Sequence, residues 1–142
     1  MSEEKPVYHI RPLRVDDRNW VAEFLDAHWY STKIVTRGQM YYGHLLPGFA
    51  VIPGTQEKPV GKPLGLLIYR PDGNTCEIMT LNSLLPGHGV GKELLDMLRQ
   101  AASEAGYKRL WVIVTNDNMD ALRFFQQHGF RLMALHVDAL IE

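Results

Sequence analysis

A chain of 142 residues with 46% hydrophobic and 22% charged side chains has the make-up of a globular domain able to enclose its own core. Its 15 basic and 16 acidic residues leave a formal net charge of −1, which gives no electrostatic basis for a nucleic-acid or membrane-surface partner. Cys76 is the only cysteine, so no disulfide closes within the chain.

That lone thiol, an N-terminus (residues 1–6) without an apolar signal core, and no stretch near the ~20 apolar residues of a membrane span together predict a cytoplasmic protein. One domain over residues 1–142 is expected.

Residues 7–14 alternate weakly and contain Pro12, which predicts an edge strand. Asp16 or Asp17 is placed to cap a following helix, because Trp20, Val21, Phe24, Leu25 and Ala27 recur at helical spacing. Residues 28–47 form an aromatic-rich connection expected to hold a short second helix. A strand over 49–52, a polar turn region over 53–62 and a strand over 64–70 come next. Pro71, Asp72, Gly73 and Asn74 make a tight turn that returns the chain as an antiparallel strand over 75–84.

Helix is expected over 89–105, with Val90, Leu94, Leu95, Leu98, Ala101, Ala102 and Ala105 on the buried stripe and Gly106 as its stop. The apolar run 110–114 reads as a strand covered on both faces. A helix over 118–128 stops at Gly129, and a last strand spans 130–137. The order β-α-(α)-β-β-β-α-β-α-β describes an α/β protein with a mixed sheet and helices on its faces.

Two segments carry chemistry. Leu85-Pro86-Gly87-His88-Gly89-Val90-Gly91 stands immediately before a helix, where freed backbone N–H groups and the helix dipole suit a phosphate. Downstream, Asn118, Ala121, Phe124, Phe125, Gly129 and Phe130 keep a fixed spacing. The first segment is not a P-loop, since Pro86 occupies the first Walker glycine position and Glu93 follows Lys92. Nor is it a dinucleotide fingerprint, because the glycines are spaced Gly-x-Gly-x-Gly and Lys108 and Arg109 lie where an acid is needed.

The span 77–130 resembles the two most diagnostic motifs of the GNAT superfamily of N-acetyltransferases. The family's loop, Gln/Arg-x-x-Gly-x-Gly/Ala, is matched at Gly89 and Gly91, with Pro86 in place of Gln or Arg. The family's Asn-x-x-Ala-x-x-Phe/Leu-Tyr-x-x-x-Gly-Phe is matched at Asn118, Ala121, Phe124, Gly129 and Phe130, with Phe125 in place of the tyrosine. Segments 36–38 and 46–49 are also similar to a group of small members whose substrates are generally unassigned. The fold ends in a seventh strand in most members. Only residues 138–142 remain for it here, so either the sequence is truncated or the sixth strand keeps an unprotected edge, which another chain would cover in an expected homodimer.

The resemblance implies a direct transfer of acetyl from acetyl-CoA to a small-molecule or peptide amine within a ternary complex. It places the coenzyme pyrophosphate on the backbone of Gly87, His88, Gly89, Val90 and Gly91, with Lys92 in reach and Asn118 and Phe125 beside the cofactor. The pantetheine arm would run along residues 81–85, with Leu84 and Leu85 nearest the loop, and a backbone N–H there would polarise the thioester carbonyl.

Glu77 is the expected general base, and its neighbours Cys76, Ile78 and Met79 predict partial desolvation. The alternative for Glu77 is a solvated strand carboxylate, with water chains carrying the proton. Phe125 cannot protonate the departing thiolate, although a thiol of pKa about 8.5 leaves unaided. Tyr30, Arg37 and Tyr41, from the aromatic segment 28–48, are expected to meet the acceptor, Arg37 as a carboxylate clamp. The six histidines lack metal-ligand spacing, so no metal is expected. The competing reading is a non-catalytic acyl-CoA-binding sensor, favoured by Phe125 and the short C-terminus.

Overall fold

The computed structural model describes residues 7–29, 33–36, 39–85, 87–113 and 119–131. Strand β1, Tyr8–Pro12, pairs on one side only and can therefore hold Pro12 at its end. A short 3-10 turn, Val15–Asp17, leads into α1, Arg18–Trp29.

Neither Asp16 nor Asp17 caps α1 in the expected way. The carboxylate of Asp17 instead accepts hydrogen bonds from both Arg11 terminal nitrogens at 2.7 and 2.8 Å, the Arg14 N–H at 2.7 Å and the Trp20 indole N–H at 2.7 Å. It ties β1 to the start of α1, and with this many donors it is almost wholly buried.

The expected second helix gives way to a hairpin. Lys33–Thr36 (β2) and Gln39–Tyr42 (β3) pair antiparallel with Thr36 opposite Gln39, as a two-stranded sheet separate from the main one. Ile34, Val35 and Thr36 are all β-branched, a run that suits a strand better than a helix. A 3-10 turn, Gly43–Leu45, then packs on α1.

The main sheet continues with β4 (Gly48–Pro53), β5 (Gly65–Asp72) and β6 (Thr75–Ser83). Pro71 and Asp72 stay in the ladder, so the turn between β5 and β6 narrows to Gly73 and Asn74, with Gly73 at φ 61°. Next come α2 (Val90–Ala105), β7 (Arg109–Val112) and α3 (Met119–Gln127).

The strand order is β1-β4-β5-β6-β7, antiparallel except for the parallel pair β6–β7, whose connection is α2. Residues 110–112 are half-buried rather than covered on both faces, since β7 is an edge among the described residues. The expected strand over 130–137 and the question of a seventh strand fall largely outside the described residues.

Period-2 alternation splits the sheet into two faces. Phe49, Val51, Leu67, Cys76 and Ile78 face α2, where Val90, Leu94, Leu95, Leu98 and Phe125 of α2 and α3 complete the larger core. Leu66 and Ile68 face α1 and meet Val21, Phe24 and Leu25. The buried stripe of α2 matches the sequence pattern at Val90, Leu94, Leu95, Leu98 and Ala102, and Gly106 ends the helix at φ 84°.

Candidate active site

The site begins on β6. On one side β6 pairs with β5 along its length; on the other, among the described residues, it pairs with β7 from Thr75 to Ile78, opposite Arg109 to Val112. At that point β6 bulges: Tyr69 lies opposite Ile78 and Ile68 opposite Thr80, leaving Met79 as the extra residue. A bulge bends its strand and sharpens the local twist.

The Leu84 N–H donates to the Leu64 carbonyl at 2.7 Å. With alternation along an antiparallel ladder, this turns the peptide groups of Thr80 and Asn82 toward β5 and those of Leu81 and Ser83 to the other side. The N–H of Leu85 donates to Ser83 Oγ at 3.1 Å. The backbone donors of Leu84 and Leu85 are thus used within the chain, and Leu81 and Ser83 turn theirs away from β5.

The glycine loop connects the end of β6 to α2. Gly87 and Gly89 have φ of 84° and 75°, a left-handed backbone, and a Cβ on either would meet nothing within 4 Å. These glycines are needed for conformation rather than for close approach. Gly89 caps α2, and the first helical bond there is donated by Glu93 to the Gly89 carbonyl. The N–H groups of Val90, Gly91 and Lys92 precede that bond and have no partner from the helix ladder.

Gly91 has a different task from its neighbours: a Cβ there would lie 3.3 Å from the Phe124 ring, so it lets α3 pack against α2. The Lys92 ammonium donates to Asp96 at 2.8 Å, along the helix surface. His88 is exposed. Phe125 is 6% exposed, packed edge-on between Phe124 and Phe130.

On the α1 face, Glu77 is 2% exposed, and Arg70 Nη2 on the neighbouring strand donates to it at 3.0 Å. Arg70 also reaches Asp72 at 3.4 Å, and its guanidinium lies 4.7 Å from the centre of the Tyr41 ring. Trp111 stands beside Glu77 on β7 and donates its indole N–H to Thr75 Oγ1 at 3.3 Å. Arg70 Nε and Thr80 Oγ1 are buried with no hydrogen-bond partner.

Cys76 points the other way, into the α2 core; burial pushes its thiol up to about 11, with Arg70 lowering and Glu77 raising it. It is a protonated core residue at neutral pH.

Of the residues singled out in the sequence, the structure gathers Glu77 and Tyr41 around Arg70, and Gly87 to Lys92 around the N-terminus of α2. Tyr30, Arg37 and Asn118 lie outside the described residues. Arg70 and Thr80 escaped the sequence reading. Arg70 was legible in principle, since counting outward from Gly73-Asn74 sets residue 70 opposite residue 77. Among the described residues no group of His, Cys, Asp or Glu is placed to hold a metal, and no helix is long and apolar enough to cross a membrane.

A mixed sheet with a bulge in β6, followed by a glycine loop and the N-terminus of α2, is the frame of the acetyltransferase fold. The acetyltransferase (GNAT) family model matches residues 19–130, and the chain belongs to that family. An uncharacterized Bacillus subtilis protein, YxbD, is 32% identical over 123 residues, covering 87% of this chain and 74% of its own length.

The ribosomal-protein-alanine N-acetyltransferase of Brucella melitensis biovar Abortus superposes with a TM-score of 0.66 at 17% identity, over 91% of this chain and 95% of that one. An aminoglycoside N-acetyltransferase in complex with CoA gives 0.66 at 12% identity, over 96% and 95% of the two chains. At these identities the two structures establish the fold alone.

Proposed function

We propose that this chain transfers an acetyl group from acetyl-CoA to a primary amine by direct attack in a ternary complex. The observation that carries the reading is the glycine loop that follows β6, where left-handed Gly87 and Gly89 lead into α2 and leave the first N–H groups of that helix outside its ladder, in a chain whose residues 19–130 match the acetyltransferase family. Those donors and the left-handed Gly87 and Gly89 suit a pyrophosphate, and Leu81 and Ser83 offer backbone groups to an amide-bearing arm such as pantetheine. A CoA-bound relative of the same fold supports the choice of cofactor.

Acetyl-CoA brings the activated thioester. The Leu81 N–H, two residues past the bulge at Met79, is our choice of donor to the carbonyl oxygen as charge develops, a contribution of about 3 kcal/mol for one such donor. Glu77 accepts the proton of the incoming ammonium. At pH 7 an alkylamine of pKa about 10.4 is neutral in only about one molecule in 2,500, so proton removal is a large part of the barrier. Arg70 keeps the Glu77 carboxylate oriented from the far strand. Phe125 offers no proton, and the thiolate departs to solvent.

The expected result is amine-dependent release of free CoA thiol when the purified protein meets acetyl-CoA and a panel of primary amines. Binding of acetyl-CoA without any amine-dependent thiol release sinks the enzyme reading. It would leave an acyl-CoA sensor, which the burial of Phe125 at the tyrosine position favours.

A further inference from the structure

Arg70 and Thr80 share the α1 face of the sheet with Glu77. Both hold buried polar atoms, Nε and Oγ1, that meet no partner. Thr80 is 4% exposed, so its hydroxyl is shut off from bulk water as well. A buried donor left unsatisfied is costly, and such groups are met by ordered water, an ion or a ligand. The rungs that carry Arg70 and Thr80 are a two-residue step apart on β5, from Ile68 to Arg70, which sets them about 7 Å apart along the strand.

Charge narrows the choice of ligand. Arg70 already balances Glu77 at 3.0 Å; its second carboxylate, Asp72 at 3.4 Å, is half exposed, so solvent screens that pair and it offsets little of the guanidinium charge. A plain ammonium arriving at Glu77 would place an uncompensated positive charge beside a guanidinium in a poorly hydrated site. An amine that carries its own anion avoids this: its nitrogen meets Glu77 while its anion meets the Nε edge of Arg70. Tyr41 covers that guanidinium from a hairpin that is hydrogen-bonded as a separate sheet, so the roof of the site belongs to an element independent of its floor.

We propose that Arg70 and Thr80 read a carboxylate on the acceptor, making the substrates amines that bear a carboxylate a few bonds from the nitrogen, as amino acids do. The inference rests on the acetyltransferase reading and names the substrate class of that same site.

The test compares matched acceptors that differ only in carboxylate against primary amide, such as glycine with glycinamide and β-alanine with its amide. In the unaltered protein kcat/KM is expected to favour the carboxylate members by about 30-fold or more, the scale of one buried charge-assisted pair. The amides carry the less basic amine, so any bias from basicity runs against this outcome.

Arg70→Lys keeps a positive charge for Glu77 but loses the Nε edge. It is expected to cut the preference about tenfold through KM for the carboxylate members, with the Kd for acetyl-CoA unchanged. Thr80→Val is expected to lower the preference less. Equal use of both members of each pair, or an unchanged ratio in R70K, overturns the proposal.

If no amine is acetylated, the enzyme reading fails separately, and calorimetric titration of the same acceptors into CoA-saturated protein decides the carboxylate site. Binding of carboxylate members alone, weakened in R70K, upholds it. No binding, or equal binding of the amides, overturns it.

Discussion

Replacing Glu77 with glutamine separates two effects that one residue combines. The carboxylate is 2% exposed and its Arg70 partner 15%, so the pair lies in a region of low effective dielectric. Removing one partner of a buried ion pair costs about 3–5 kcal/mol; glutamine retains an oxygen for the Arg70 N–H, which brings the cost to about 2 kcal/mol. For a domain of this size that corresponds to a fall in Tm of about 6 °C.

The kinetic effect is separate. Loss of a general base lowers kcat/KM by 10²–10⁴, and about 10² is expected here because water can carry part of the proton transfer. Thiol release is measured well below the Tm of the variant, so that unfolding does not contribute. The gap should close as the pH rises toward 10, where about a third of an alkylamine is already neutral. An E77Q protein with the lowered Tm but activity within about threefold of the unaltered protein at pH 7 refutes the base assignment and leaves Glu77 a purely structural partner of Arg70.

The hydrogen bonds from Arg11, opposed by burial and joined by those from Trp20 and Arg14, hold the Asp17 carboxyl well below the usual carboxylate range. Its folded pKa is depressed, so its contribution is complete above the ordinary value near 4 and is lost as pH falls below it. Melting temperature should be level down to about pH 5 and drop beneath pH 4, and Asp17→Asn should lower it at neutral pH while flattening the acid limb; an unchanged acid limb contradicts the assignment. Gly89→Ala should cost about 1–2 kcal/mol in urea unfolding from the left-handed backbone alone, since its Cβ meets nothing within 4 Å, and Gly89→Asn should cost less. Cys76, buried and with its thiol pushed up to about 11, should resist iodoacetamide at pH 8 in the folded protein and react promptly in urea; rapid native labelling would show that the core opens there.

The parts of the fold legible in the sequence are those where one rule acts alone. The α2 stripe follows from 3.6-residue periodicity, and the loop at Gly87 and Gly89 follows from the need for positive φ before a helix. The hairpin over 33–42 was misread because its β-branched run is short and lies inside an aromatic segment without alternation, so pairing decided its state. Asp17 looked like a helix cap because its ion pair with Arg11 depends on β1 and α1 meeting in space.

The candidate site divides in the same way. The glycine loop and Glu77 are local signals. The bulge at Met79, just before Leu81 and Ser83, is a register shift between strands that no local pattern encodes. Arg70 and Thr80 stand out only through the atoms they leave unpaired, and pairing is a property of the folded chain.

The most direct test of the central claim is the two-dimensional amide spectrum of the protein titrated with CoA, because it asks both whether the coenzyme binds and where. Shifts concentrated at Leu81, Ser83 and the amides from Gly87 to Lys92 are the expected result. Shifts confined to other surfaces, such as the groove between Tyr8 and Gln100, or no shifts at millimolar CoA, would contradict the placement of the cofactor along β6 and the glycine loop and with it the proposed acetyl transfer.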